Sequence, residues 1–176
     1  MVARSKRLQR PQNRTLLLVA EGETEEAFLT HLKRLYVNRE SRLSVTIKCA
    51  RGKGAAHVVD VAIRQSKNFA FDQVAAFLDT DTDWNDAVSR TAADGGVKVL
   101  CSHPCIEGML LRAMGAKVPV TTTAMKKRFA PHVRGDGLIP ENYAAAFGHE
   151  TMQRARLVEP TLDELLLLLG SLRDGA

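Results

Sequence analysis

The chain predicts an α/β fold: a mainly parallel sheet of about four strands flanked by helices, followed by a helical C-terminal part. Three observations predict it. Short apolar runs of the kind that form buried parallel strands alternate with segments of helical spacing. Two of these runs, Leu16-Leu17-Leu18-Val19-Ala20 and Ala75-Ala76-Phe77-Leu78, stop abruptly at carboxylates, Glu21 and Asp79, where a core would not hold them. The chain has 176 residues, 45% of them hydrophobic, which suffices for a single compact core.

The first strand is expected at residues 15–20 and the first helix at about 24–39, where Phe28, Leu32 and Leu35 recur at helical spacing. Thr24 is the expected N-cap. Glu23, Glu25 and Glu26 lie in or beside the first turn and complement the helix dipole. That chemistry covers Glu23 and Glu26 but leaves Glu21, which precedes the cap, unexplained. A second strand is expected at 43–49, with Val45 and Ile47 facing one way, and a helix at 55–68. Between them Arg51-Gly52-Lys53-Gly54 is a basic turn without the Walker A spacing. Two glycines between cations suit close approach to a phosphate backbone, or form a plain surface turn.

The third strand, 74–78, runs into Asp79-Thr80-Asp81. Alternation puts Asp79 and Asp81 on one face, while Asp83 is expected to cap the following helix. A fourth strand, 97–101, leads through Ser102-His103-Pro104 into a helix carrying Glu107, Leu110, Leu111 and Met114, with Pro104 in its first turn. Beyond Pro119 comes a basic stretch, Lys126, Lys127, Arg128, His132 and Arg134. Residues 138–147 and 161–172 then read as helices, the second with a continuous Leu165 to Leu169 run suited to a core or an interface.

The net charge of +5 is concentrated at the start. Residues 1–14 hold Arg4, Lys6, Arg7, Arg10 and Arg14 and no acid, so the other 20 basic and 20 acidic residues cancel. This divides the chain into a flexible basic tail, 1–14, and one domain, 15–176. Such an arm neutralises phosphates with release of counterions, or serves only as a solvated tail. No apolar stretch has the length of a membrane span or the pattern of a signal peptide, so a cytoplasmic protein with no membrane association is expected. Cys49, Cys101 and Cys105 lack zinc spacing and read as reduced thiols. The histidines at 31, 57, 103, 132 and 149 form no His-x-x-x-His pair, and neither a Gly-x-Ser-x-Gly elbow nor a Gly-x-Gly-x-x-Gly loop is present.

In an open α/β sheet ligands bind at the carboxyl ends of the strands, so Glu21, Asp79 and Asp81 are candidates for one site. Clustered carboxylates raise one another's pKa, and a divalent cation relieves the repulsion. Three stretches in this order, Val19-Ala20-Glu21-Gly22-Glu23-Thr24-Glu25-Glu26-Ala27-Phe28, Leu78-Asp79-Thr80-Asp81 and Ser102-His103-Pro104-Cys105-Ile106-Glu107-Gly108-Met109-Leu110-Leu111, resemble the Toprim domain. More narrowly, they resemble the small stand-alone proteins of the RloB-like family. The third stretch departs from the usual pattern, which has Asn-Pro and a Phe and Trp around the Glu.

The resemblance implies a Toprim-like, Rossmann-like fold and a Mg²⁺- or Mn²⁺-dependent phosphodiesterase, a nuclease of a prokaryotic phage-defence or mobile-element system. It further implies Asp79 and Asp81 as metal ligands, Glu21 as ligand or general base, Glu25 and Glu107 completing a second metal position, and Lys126 or Lys127 offsetting charge on the scissile phosphate. Arg4, Lys6, Arg7, Arg10, Arg14, Arg51 and Lys53 are candidate contacts to DNA or RNA. His103 is a further one, or a hydrogen-bonded turn histidine. A partner ATPase or restriction-system protein is also expected. Two alternatives stay open: a non-catalytic Toprim-like subunit that binds nucleic acid or an ATPase, and a small-substrate phosphohydrolase. Topoisomerase chemistry is not expected, because it needs a transesterifying Tyr on a separate strand-gating domain and Tyr36 and Tyr143 are the only tyrosines of these 176 residues.

Overall fold

The computed structural model describes residues 13–80 and 83–173. Strand β1 (Arg14–Ala20) is apolar on both faces. Leu16, Leu18 and Ala20 enter one core, Leu17 and Val19 enter another, and all five are fully buried. A strand covered on both sides belongs in the middle of a parallel sheet. There it pairs in parallel with β2 (Leu43–Cys49) and β3 (Gln73–Asp79), and β4 (Lys98–Ser102) pairs in parallel with β3, giving the order β2-β1-β3-β4. The expected four-stranded α/β architecture is therefore observed.

The crossover helices divide between the two faces. Helix α1 (Glu23–Tyr36) packs Phe28, Leu29 and Leu32 on the face of Leu16 and Leu18. Helices α2 (Ala55–Asn68) and α3 (Asp86–Asp94) place Val58, Val59, Ala62, Val88 and Ala92 against Leu17 and Val19. The chain thus leaves β1 toward β2 on one side and returns to β3 on the other. The gap between the carboxyl ends of β1 and β3 is the topological switch point, where such sheets open a crevice.

Four further helices, α4 (Ile106–Ala113), α5 (Thr122–Phe129), α6 (His149–Ala155) and α7 (Pro160–Leu168), join the core on the α1 face. The Phe28 ring lies 5.6 Å from that of Tyr143 and 6.0 Å from that of Phe147, which ties this C-terminal part to α1. Thr161 Oγ1 donates to Cys101 O at 2.8 Å and anchors α7 on β4. Among the described residues no helix is long and apolar enough to cross a membrane.

Several boundaries differ from the sequence-based expectation, each for a local reason. Helix α1 is capped at Gly22 rather than Thr24, and it stops at Tyr36 because Val37 is extended. The β2–α2 expectation holds to the residue. Helix α3 is capped by Asn85, whose Oδ1 accepts from the amides of Ala87 and Val88, and not by Asp83. Pro104 precedes the Cys105 N-cap of α4 rather than sitting in the first turn, and Met114 is that helix's C-cap. The expected helix at 138–147 is a single 3-10 turn, Pro140–Tyr143. Leu138 and Ile139 remain about half exposed, and the segment is held by Tyr143 Oη donating to Gly137 O (2.9 Å) and Asn142 Nδ2 donating to Asp136 O (2.8 Å). The basic stretch contains α5, with Met125 and Phe129 buried four residues apart. The last helix ends at Leu168, followed by Gly170 at φ +86°, a left-handed stop that glycine provides.

Candidate carboxylate site

Four carboxylates surround the switch-point crevice. Glu21 follows β1, its amide donates to Phe77 O at 3.0 Å, and its Oε2 accepts from the Asp79 amide at 3.0 Å. The ends of β1 and β3 are thus pinned together at their acidic residues. Asp79, the last residue of β3, accepts at Oδ1 from Ser102 Oγ and from the Ile106 amide at 3.0 Å. These bonds join it to the end of β4 and the start of α4. Glu107, one residue further along α4, is 7% exposed, and its Oε2 is buried without a hydrogen-bond partner. Glu25, in the first turn of α1, is equally buried, and its Oε2 accepts from the Gly22 amide at 3.0 Å.

Electrostatics shows that these groups sense one another. Burial pushes the Asp79 carboxyl up to about 8; the Ser102 hydrogen bond opposes this, and the charges of Glu25, Glu107 and Glu21 add to it. Glu25 is raised for the same main reason, burial, with Glu107 and Glu21 contributing. Burial takes the Cys105 thiol up to about 12, again with Glu107 and Asp79 nearby. The Tyr143 hydroxyl is raised by burial and by Glu25 and Glu107, which places the C-terminal part against the back of the cluster. No ion pair among the described residues includes any of the four.

All four groups offer the carboxylate oxygens that hard divalent cations take, and one buried oxygen, Glu107 Oε2, is orphaned. Glu21, Glu25 and Asp79 each spend one oxygen on a backbone amide and keep the other. Among the described residues no three His, Cys, Asp or Glu side chains are placed so that they could together hold a metal ion. Asp81 lies outside those residues, as do Arg4, Lys6, Arg7 and Arg10.

The remaining sequence candidates divide between the two edges of the sheet. Arg51 and Lys53 are exposed in the β2–α2 loop, whose Gly52 amide donates to Glu21 O at 2.8 Å, so this basic loop borders the cluster. Arg51, Gly52, Lys53 and Gly54 all have positive φ, from 60° to 82°. His103 is exposed and its Nδ1 pairs with Thr80 Oγ1 at 2.8 Å, which links the loops leaving β3 and β4 one residue from Asp79. Lys126 and Lys127 are exposed on α5, and neither is hydrogen-bonded to the four carboxylates. Arg14 opens β1 at the other edge of the sheet, about 20 Å from Glu21 at the usual rise per strand residue.

Sequence reasoning missed Ser102, which is fully buried and donates to Asp79. Its only signal is register, since it is the residue paired with Asp79 across β3 and β4. Asp83 has a different role from the one expected: its Oδ1 accepts from the Ala55 amide at 2.6 Å and so caps α2 from across the crevice. A Cβ at Gly54, where φ is +82°, would come within 2.5 Å of that oxygen. Gly54→Ala should therefore cost roughly 1–3 kcal/mol in chemical denaturation, whereas Gly52→Ala, with open space, should cost only about 1. Equal midpoints for Gly54→Ala and wild type would remove the Asp83 cap from this account.

Fold and site together define an open, doubly wound α/β protein with an acidic crevice at its switch point. Compared with known proteins, the chain matches no family model, and no curated protein or solved structure shows a significant match to it.

Proposed function

We propose that this protein is a Mg²⁺- or Mn²⁺-dependent phosphodiesterase that cleaves nucleic acid, the activity implied by its resemblance to Toprim-like nucleases. One observation carries the proposal: Glu21, Glu25, Asp79 and Glu107 are gathered at the switch point, with a buried oxygen of Glu107 unpartnered and no cation paired to any of them among the described residues. A protein that only needed to fold would gain by losing such a cluster.

A bound divalent cation would lower the pKa of water and polarise a phosphoryl oxygen. Asp79, Glu25 and Glu107 would hold it, with Asp79 oriented by Ser102 and by the Ile106 amide. Glu21 keeps one oxygen free of its bond to the Asp79 amide, so it is the group available to take a proton from the attacking water. Arg51 and Lys53, bordering Glu21, would draw the phosphate backbone toward the crevice. A role in phage defence, with a partner ATPase or restriction-system protein, extends the same resemblance.

The test is a gel assay of the purified protein on labelled DNA and RNA with Mg²⁺, Mn²⁺ or EDTA. Cleavage with either metal and none with EDTA is expected. Binding without cleavage at high protein concentration would favour the non-catalytic subunit. Turnover of a small phosphodiester with intact nucleic acid would favour the phosphohydrolase.

A further inference from the structure

A second feature lies on α5 and the turn that follows it. A shallow groove of about 590 Å³ is lined by Pro119, Ala124, Lys127, Arg128, Pro131 and His132, within the size range of ligand clefts. Its lining combines two prolines, an alanine and a histidine with two cations. The neighbouring Val120 is 98% exposed. No acidic residue occurs anywhere in residues 108–135, a stretch that holds Arg112, Lys117, Lys126, Lys127, Arg128 and Arg134. Arg112 is paired with Glu159, but no ion pair among the described residues takes up Lys127 or Arg128.

The groove is coupled to the crevice through packing. On α5, Met125 lies against α4: its Sδ is 3.8 Å from Cys105 Sγ and would be 2.9 Å from a Cβ at Gly108. Those residues flank Ile106 and Glu107, which contact Asp79 and belong to the cluster. Lys127 and Arg128 are within one turn of Met125 on the same helix, so the groove and Glu107 belong to two helices that pack against each other.

We infer that this groove holds an unpaired base of a single-stranded nucleic acid, with Lys127 and Arg128 on the flanking phosphates; the inference rests on the nuclease reading and adds the strandedness of its substrate. Proline and imidazole ring surfaces suit the face of a base, and the two lining cations suit the phosphates on either side. A duplex keeps its base faces stacked and could fill the groove only by flipping a nucleotide out. Phosphate contacts alone would need the cations but not the proline and imidazole walls.

The test is fluorescence anisotropy of the full chain in EDTA, with short single-stranded DNA and RNA and the matching duplexes. Wild type should bind single strands at least about tenfold more tightly than duplex. Lys127→Glu/Arg128→Glu should weaken single-strand binding about tenfold or more and reduce the salt slope by about 1.4, the value for two phosphates on a single strand. His132→Ala should weaken it about fivefold or more without changing the slope. The milder Lys127→Gln/Arg128→Gln variant, checked for an unaltered melting transition, should give the same slope change. Duplex bound as tightly as single strand, or variants that bind like wild type, would overturn the groove inference. If wild type still cleaves with Mn²⁺ in that case, the nuclease reading stands; if it neither binds nor cleaves any nucleic acid, both fall.

Discussion

Replacing Glu21 by Gln is expected to lower Mn²⁺-dependent cleavage by on the order of a hundredfold or more while leaving the fold and substrate binding in place. The substitution is well suited to isolating charge. Glu21 Oε2 accepts from the Asp79 amide, and a Gln side-chain oxygen accepts in the same way, so the link between β1 and β3 survives. What is lost is the ionisable carboxylate and its negative charge. Binding should be unchanged or tighter, because a phosphate backbone then meets less repulsion. Single-turnover rates and anisotropy on the same preparation separate the two effects. Cleavage by Glu21→Gln at the wild-type rate would remove Glu21 from the mechanism and leave the proton acceptor elsewhere.

Asp79→Asn should stabilise the metal-free protein, and more so as the pH rises. Burial raises the Asp79 carboxyl from 3.8 to about 8, so the folded state holds a proton across a range in which the unfolded chain has released it. Stability of wild type therefore falls as the pH climbs from about 4 toward 8, and Asn has no such slope. Near pH 4 the two proteins should differ little. At pH 8 in EDTA the variant should be more stable by several kcal/mol, ~3 once relaxation and water entry are allowed for. Asn keeps an oxygen to accept from Ser102 and from the Ile106 amide, so the local hydrogen bonds need not break. Urea denaturation at the two pH values measures this. A variant less stable than wild type at pH 8 would mean that Asp79 holds the site together through its charge, not in spite of it.

The sheet was legible because its strands are written as short, unbroken apolar runs. Leu16 to Ala20 and Ala75 to Leu78 can only be buried on both faces, and the acidic residues that stop them mark the carboxyl edge. The same logic singled out Glu21 and Asp79, at the ends of β1 and β3, whereas Glu107, the second residue of α4, was suggested by the resemblance. The C-terminal half was less legible, since its helices are short and their apolar residues serve a shared core rather than a clean helical stripe. In 138–147, Tyr143 and Phe147 are buried while Leu138 and Ile139 stay largely outside, so the apolar spacing mimics a helix that does not form. Cap assignments failed where the partner is distant in sequence. Asp83 caps α2, 28 residues earlier, and no local pattern announces a bond across the crevice. Ser102 was invisible for the same reason: only the parallel register of β3 and β4 brings it to Asp79.

The proposal that Glu25, Asp79 and Glu107 hold one divalent cation beside Glu21 is tested most directly by calorimetric titration of Mn²⁺ at pH 7 in buffers of different ionisation enthalpy. Burial raises the Asp79 carboxyl to about 8, so a cation that binds it at pH 7 is expected to displace a proton. Wild type should bind Mn²⁺ with release of about one proton, Asp79→Asn should bind far more weakly, and Glu107→Gln should lose affinity because the orphaned oxygen is a donor. Mn²⁺ binding with the same affinity and the same proton release in all three proteins would contradict the account, as would no binding by wild type.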